Sequence, residues 1–252
     1  MLRRIQGINI FMAALAPVFL AGSLAGQTKG LASRTSTNYR LWYDKNVSAE
    51  DIKKLTKQLE LAYAQYSGRL GVSFHKKVDV YGFSSPGRFR SESRSGVYDD
   101  GDIRDGKLYF NVGDVLKCDT ALRDPVSRVV SEAILGEIKW CPKWLAEVYG
   151  IYAGKDIQRF GPPAASNSSS FSDLTEDYAR AENPKDLVEV RAKLAATARF
   201  FIDRYGEGKV EKMFLQFKRP LTVDEAFEAA FGEKMPVIEK AWAAALKSPP
   251  KG

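Results

Sequence analysis

The chain has 252 residues, 44% hydrophobic and 27% charged, with a formal net charge of +7. These are ordinary globular proportions, which argue against a low-complexity or disordered chain. The positive charge is spread along the sequence without an arginine-rich tract, so it reads as a solvated surface in preference to a nucleic-acid site.

In chain order, residues 1–25 read as a secretory signal. Arg3 and Arg4 form a basic n-region, Ile8 to Leu20 is apolar except for Asn9 and Pro17, and Ser23-Leu24-Ala25 offers a small-x-small cleavage site. The apolar core is shorter than the roughly 20 residues of a membrane span, which favours cleavage over retention as an anchor. No other segment is long and apolar enough to cross a membrane. An exported protein, periplasmic or extracellular, is expected, and its mature form keeps 7 − 2 = +5 charges.

Residues 26–36 are small and polar and read as a flexible lead-in. Asn38 to Tyr43 has the alternation of a strand. Ser48 and Asp51 make a capping-box-like start, and Ile52, Leu55, Leu59, Leu61, Ala62 and Tyr66 continue at helical spacing to about Ser67. Val78 to Phe83 is a short strand, and Lys107 to Val112 is another, reached through the turn-rich stretch Tyr98 to Gly106. Pro125 to Lys139 is helical, with Val129, Val130, Ala133, Ile134 and Ile138 on one face. Pro142 suits a first helical position, and that helix stops near Gly154. Gly161 to Asp173 is the clearest loop. Helical patterns follow at Leu187 to Tyr205, Lys209 to Phe217, Val223 to Phe231 (capped by Thr222 with Glu225) and Val237 to Leu246. Strands and helices mixed first, then helices only, predict an α+β fold: a small N-terminal mixed sheet with a long helix at 37–160, and a helical C-terminal lobe at 174–248.

Cys118 and Cys141 are the two cysteines of the chain. In an exported protein an isolated pair is expected to form a disulfide. It would close a loop of 141 − 118 = 23 residues, a staple of about 3 kcal/mol in the chain-entropy description. The alternative is a pair of free buried thiols.

The informative segment is Arg128 to Gly154, RVVSEAILGEIKWCPKWLAEVYGIYAG. Pro142-Lys143-Trp144-Leu145-Ala146-Glu147 with Tyr149-Gly150-Ile151-Tyr152 resembles the second motif helix of gluzincin zinc peptidases, in particular the peptidase MA-like domains of exported bacterial proteins. The first motif helix, HExxH in that family, aligns as Ser131-Glu132-Ala133-Ile134-Leu135. Upstream, the Tyr39 to Tyr43 strand, the long helix, VDVYGF, the Gly96-Val97-Tyr98 turn and KLYFN follow the family's order. Downstream, Phe200 to Gly206 resembles its helix ending in RYG, and Leu221 to Leu246 its closing helices.

The resemblance implies a metal chemistry that the residues do not support. Two imidazoles at i and i+4 can reach one zinc, with the glutamate at i+1 as general base and a glutamate of the second helix completing the set. Here Ser131 and Leu135 stand at the histidine positions, Glu132 keeps the general-base position, and Glu147 keeps the third-ligand position. His75 is the one histidine of the chain, so a histidine-rich site is excluded by counting. The other donors near the helix pair are Glu137 and Cys141, and carboxylates alone make a hard site suited to calcium or magnesium. No cofactor is therefore expected, although active relatives hold zinc.

Glu132 and Glu147 read either as carboxylates lining an emptied cleft or as relics held by nearby cations. Trp144, Tyr149 and Tyr152 read as packing residues before they read as a binding platform. Asp99, Asp100, Asp102 and Asp105 lack the glycine and closing glutamate of an EF-hand loop and read as a polar turn. His75 reads as a surface residue. Ser131 as a nucleophile would need a base that the sequence does not place near it. The sequons Asn46-Val47-Ser48 and Asn167-Ser168-Ser169 bear on the chain only in a eukaryotic secretory pathway. Three functions follow: a pseudopeptidase that binds an extended peptide or protein segment in the cleft, an architectural domain without ligand, or a metallopeptidase with an atypical ligand set using Glu132 and Glu147.

Overall fold

The computed structural model describes residues 30–93, 100–160, 163, 170–181 and 183–247. The leader, most of the 161–173 loop, the Gly96-Val97-Tyr98 turn and the Asn167 sequon lie outside them. The fold is α+β, as the pattern of elements predicts. Its sheet runs β1 (Leu31–Thr35), β2 (Tyr39–Asp44), β3 (Val78–Phe83), β5 (Lys107–Asn111) and β4 (Gly101–Arg104), in the order β1-β2-β3-β5-β4. β2, β3 and β5 are parallel, while the edge strands β1 and β4 pair antiparallel to their neighbours.

Helix α1 (Ala49–Leu70) starts where the Ser48 side chain accepts from the Asp51 N–H. It ends at Gly71, whose φ of 56° is left-handed, a conformation that glycine adopts without a Cβ penalty. It buries Ile52, Leu55, Leu59, Ala62, Tyr66 and Leu70, one stripe of an amphipathic helix. Ile52 reaches the sheet over Gly82, where a Cβ would lie 3.9 Å from its terminal carbon. The opposite sheet face carries Tyr81, Phe83 and Tyr109, with Phe89 of α2 (Pro86–Ser93) packed on them.

After β5 come α3 (Val112–Lys117), α4 (Pro125–Gly136) and α5 (Lys143–Ala153). A 3₁₀ turn at Asp156–Gln158 leads to α6 (Phe171–Arg180), α7 (Pro184–Tyr205), α8 (Glu207–Gln216), α9 (Val223–Phe231) and α10 (Met235–Lys247). α4 packs on α1 and α5, and α5 in turn packs on α7. A single apolar core runs from Tyr39 in the sheet to Trp242 in the last helix, so the helical lobe is continuous with the sheet lobe.

The structure departs from the sequence reading at several points. The lead-in contains β1, because its backbone finds a partner in β2 although its side chains carry no strand signal. Val112 opens a helix in place of ending a strand. The turn-rich stretch before β5 contains β4, joined to β5 through Asp105 and Gly106, both with positive φ, as a two-residue hairpin of the primed kind requires. The loop ends in α6, whose start is a capping box of Ser170 and Asp173. The expected disulfide is absent: Cys118 and Cys141 are both free thiols. They flank opposite ends of α4, whose 12 residues span about 18 Å. Cystine geometry needs Cα atoms within about 7 Å.

Candidate functional site

The motif helices α4 and α5 cross at unusually close range because α5 carries Gly150 and Gly154 one turn apart. A Cβ at Gly154 would fall 2.5 Å from the Arg128 Cβ, and one at Gly150 would fall 3.2 Å from the Glu132 Cβ. A side chain at Gly154 would clash with Arg128, and one at Gly150 would crowd the Arg128 carbonyl at 3.1 Å. Close crossing also brings the two motif glutamates into one electrostatic environment.

The positions that the resemblance assigns to zinc ligands are occupied by packing. Ser131 is fully buried, and its hydroxyl donates to the Arg128 carbonyl at 3.1 Å. Leu135 is fully buried in the core. Glu147 is 4% exposed, and Arg191 Nε of α7 donates to its Oε1 at 2.6 Å, while the Tyr178 hydroxyl of α6 bonds it as well. Burial works to raise the Glu147 carboxyl, but the charge and hydrogen bond of Arg191, helped by Tyr178 and Arg128, hold it below the usual carboxylate range. Glu132 behaves oppositely. Burial, and then the negative charge of Glu147, push it up to about 8, against the pull of Arg128. At neutral pH the pair is thus one neutral acid beside one carboxylate, a split that shared burial of two acids produces. Asp102 of β4 is raised too, by burial above all, with Arg191 and Arg128 opposing. Glu132, Asp102, Tyr178 and Arg191 are each partly buried, and Glu147 is buried among them.

Strand β4 brings Asp102 to this cluster, and its outer backbone edge is largely engaged. Asn111 N–H donates to the Asp100 carbonyl, which by antiparallel alternation turns the Gly101 and Ile103 backbone groups away from β5. The Gly101 N–H donates to Asp100 Oδ1, the Ile103 N–H to Asp102 Oδ1, and the Gly101 carbonyl accepts from Arg128 Nη2 at 2.5 Å.

Trp144 is 2% exposed and stacks on Phe171 at 5.7 Å. Tyr149 is 1% exposed, and its hydroxyl donates to Glu211 Oε1 at 2.9 Å. Both lie inside the packing between α5 and the helical lobe. His75 is an exposed residue 3.7 Å from Glu137. Asp105 sits in the hairpin turn. Cys141 is pushed up to about 12 by burial, and its thiol lies 3.7 Å from the Pro142 carbonyl.

Sequence reasoning did not single out Arg128, Arg191, Tyr178 or Asp102 as partners of the glutamate pair. Arg191 lies 44 positions from Glu147, beyond any local spacing rule. These residues share no sequence signal: Asp102 lies in the polar stretch DDGDIRDG, Tyr178 in FSDLTEDYAR and Arg191 in LVEVRAKL. A second ionic cluster lies on the other side of Arg128, which is fully buried. Asp100 takes contacts from Arg123, Arg128 (3.2 Å) and Arg159 (3.4 Å). Asp156, also fully buried, is held by Arg123 at 2.8 Å and Arg128 at 3.0 Å.

The residues at the motif positions do not fit zinc. Ser131 spends its hydroxyl on backbone, Leu135 offers no lone pair, and Glu147 already has a cation. Among the described residues no three His, Cys, Asp or Glu side chains gather in a metal-holding group, and no helix is long and apolar enough to cross a membrane. No protein family, curated protein or solved structure matches the chain.

Proposed function

We propose that this chain is an exported pseudopeptidase of gluzincin, peptidase MA-like ancestry in which the motif helices have become a structural frame. The observation that carries this reading is the 2.6 Å pair between Arg191 and Glu147: a guanidinium of the protein itself supplies the positive charge at the third-ligand position. The buried Leu135 and the backbone-bonded Ser131 support it. The engaged outer edge of β4 favours architecture over docking of an extended peptide, because strand addition needs open backbone donors and acceptors.

In this frame Glu132 is a proton-bearing acid, Glu147 a neutralised anchor, and Trp144 and Tyr149 are packing. Zinc is not part of the working protein. Elemental analysis of protein purified without chelator checks the reading: the expected zinc content is far below one equivalent. One equivalent of zinc, together with a peptidase activity abolished by Glu132→Gln, would overturn it in favour of a metallopeptidase with an atypical ligand set.

A further inference from the structure

We propose that the lysine-rich end of the molecule around Trp140 docks on an anionic lipid surface. The charge is scattered in the sequence and gathered by the fold. Three connections meet at this end: residues 71–77 between α1 and β3, residues 137–142 between α4 and α5, and residues 217–222 after α8. Two contacts tie them together. His75 lies 3.7 Å from Glu137, and Lys218 Nζ donates to the Gly71 carbonyl at 2.7 Å. Lys76, Lys77, Lys139, Lys218 and Lys143, the first residue of α5, are all exposed. Glu137, which already faces His75, is the one acid in the three connections. Of the acids just beyond them, Glu60 accepts from Asn38 and Glu225 from Thr222. At the margin Arg219 and Asp224 cancel in charge.

Elsewhere the fold matches its cations with carboxylates, and most of those cations are guanidinium groups: Arg40, Arg69, Arg88, Arg123, Arg128 and Arg191 all sit in ion pairs. At this end the cations are ammonium groups. Lys77 and Lys218 donate to backbone carbonyls, of Ser36 and Gly71, and among the described residues none of the five lysines pairs with a carboxylate. Trp140 decides the kind of partner. Its side chain is 40% exposed, and Lys139 Nζ lies over the ring, 4.9 Å from its centroid. An exposed indole among lysines suits the headgroup level of a bilayer: the ring enters the interface while the ammonium groups meet lipid phosphates. Such peripheral contact needs no membrane-spanning helix. A nucleic acid would call for guanidinium forks and open aromatic faces. Here the forks are largely spent in ion pairs, and Lys139 covers one face of the indole. The choice of lipid also rests on the export proposed above, which places the chain beside a membrane.

Sedimentation of the full chain with vesicles tests this, phosphatidylcholine alone being set against an equimolar mixture with phosphatidylglycerol. An apolar leader partitions into both, so the excess binding to the mixture reads the lysine end, and it should fade as sodium chloride is raised. Lys76→Gln together with Lys139→Gln changes two exposed side chains and should weaken the excess affinity roughly 25-fold, about fivefold per lysine. Lys53→Gln together with Lys57→Gln removes two exposed lysines of α1. The helix sets them about 20 Å or more from Gly71, beyond the screening length, and the affinity should not change. Trp140→Phe should abolish the blue shift of tryptophan emission that the mixed vesicles induce, because Trp144 and Trp242 are enclosed and Trp42 lies in the sheet. Equal binding to the two vesicle types, equal losses in the two lysine pairs, or tighter binding to a single-stranded oligonucleotide than to the mixed vesicles would overturn the proposal. These readouts depend on neither zinc content nor compartment, so the docking end and the motif helices stand or fall separately.

Discussion

The two ionic clusters on either side of Arg128 solve opposite problems. Around Glu147 acids outnumber cations, and the cluster balances itself by keeping a proton on Glu132 and bringing Arg191 across from the helical lobe. Around Asp100 the charges are matched by ion pairs of Arg123, Arg128 and Arg159 with Asp100 and Asp156, and no proton adjusts them, because guanidinium does not titrate in the accessible range. An acid-rich cluster can adjust by holding a proton; an arginine-rich one has to be matched by acids that the fold itself brings up. That difference teaches which cluster responds to pH and which is set by side-chain placement alone.

The sharpest way to break the comparison is to remove one guanidinium from each side. Arg191→Ala strips Glu147 of its cationic partner at a site 4% exposed and should cost about 3–5 kcal/mol, the range for opening a buried ion pair. Arg159→Ala should cost less than about 1 kcal/mol, since Arg123 and Arg128 still hold Asp100. Denaturant unfolding of both variants reads the contrast directly; equal losses would dissolve it. Next in size, Gly154→Ala pushes a methyl into the Arg128 side chain that anchors both clusters. It should destabilise by about 1–3 kcal/mol through overpacking.

The smallest expected effect at neutral pH is Glu132→Gln, and its value lies in the pH profile. Folded, Glu132 holds its proton up to about 8, against an ordinary value of 4.5. Between those limits the folded state binds more protons than the unfolded one, so stability should fall as pH rises through the window. Glu132→Gln should flatten that decline and overtake the parent protein above pH 8, as measured by thermal melts from pH 4.5 to 9. Parallel profiles for the two proteins would remove Glu132 from the self-balancing account.

Much of the frame was legible because it rests on local rules. The Ser48 and Thr222 caps, the β3 strand and the stripe of α1 all sit where spacing and capping chemistry put them. β1 escaped because its five residues are stabilised by pairing with β2 and not by their own side chains. α2 escaped because its sequence is largely polar; α6 has an apolar period at Phe171, Leu174 and Tyr178, but it is one short stripe that begins inside a serine-rich loop. At the site, the motif positions Ser131, Glu132, Leu135 and Glu147 could be named in advance. What neutralises them could not, since Asp102, Tyr178 and Arg191 converge from three separate elements through tertiary packing alone.

The unpaired cysteines give the molecule two thiols of unequal temper. Alkylating reagents attack the thiolate, so the rate follows how readily the proton leaves. Cys141, half-buried and pushed up to about 12 by burial, should alkylate slowly, while Cys118, itself raised by burial, lines a cavity beside Arg123 and Arg159. The chain thereby carries its own spectroscopic handle: a reporter dye coupled at Cys118 would sit against Arg123 and Arg159 without a cysteine having to be engineered in.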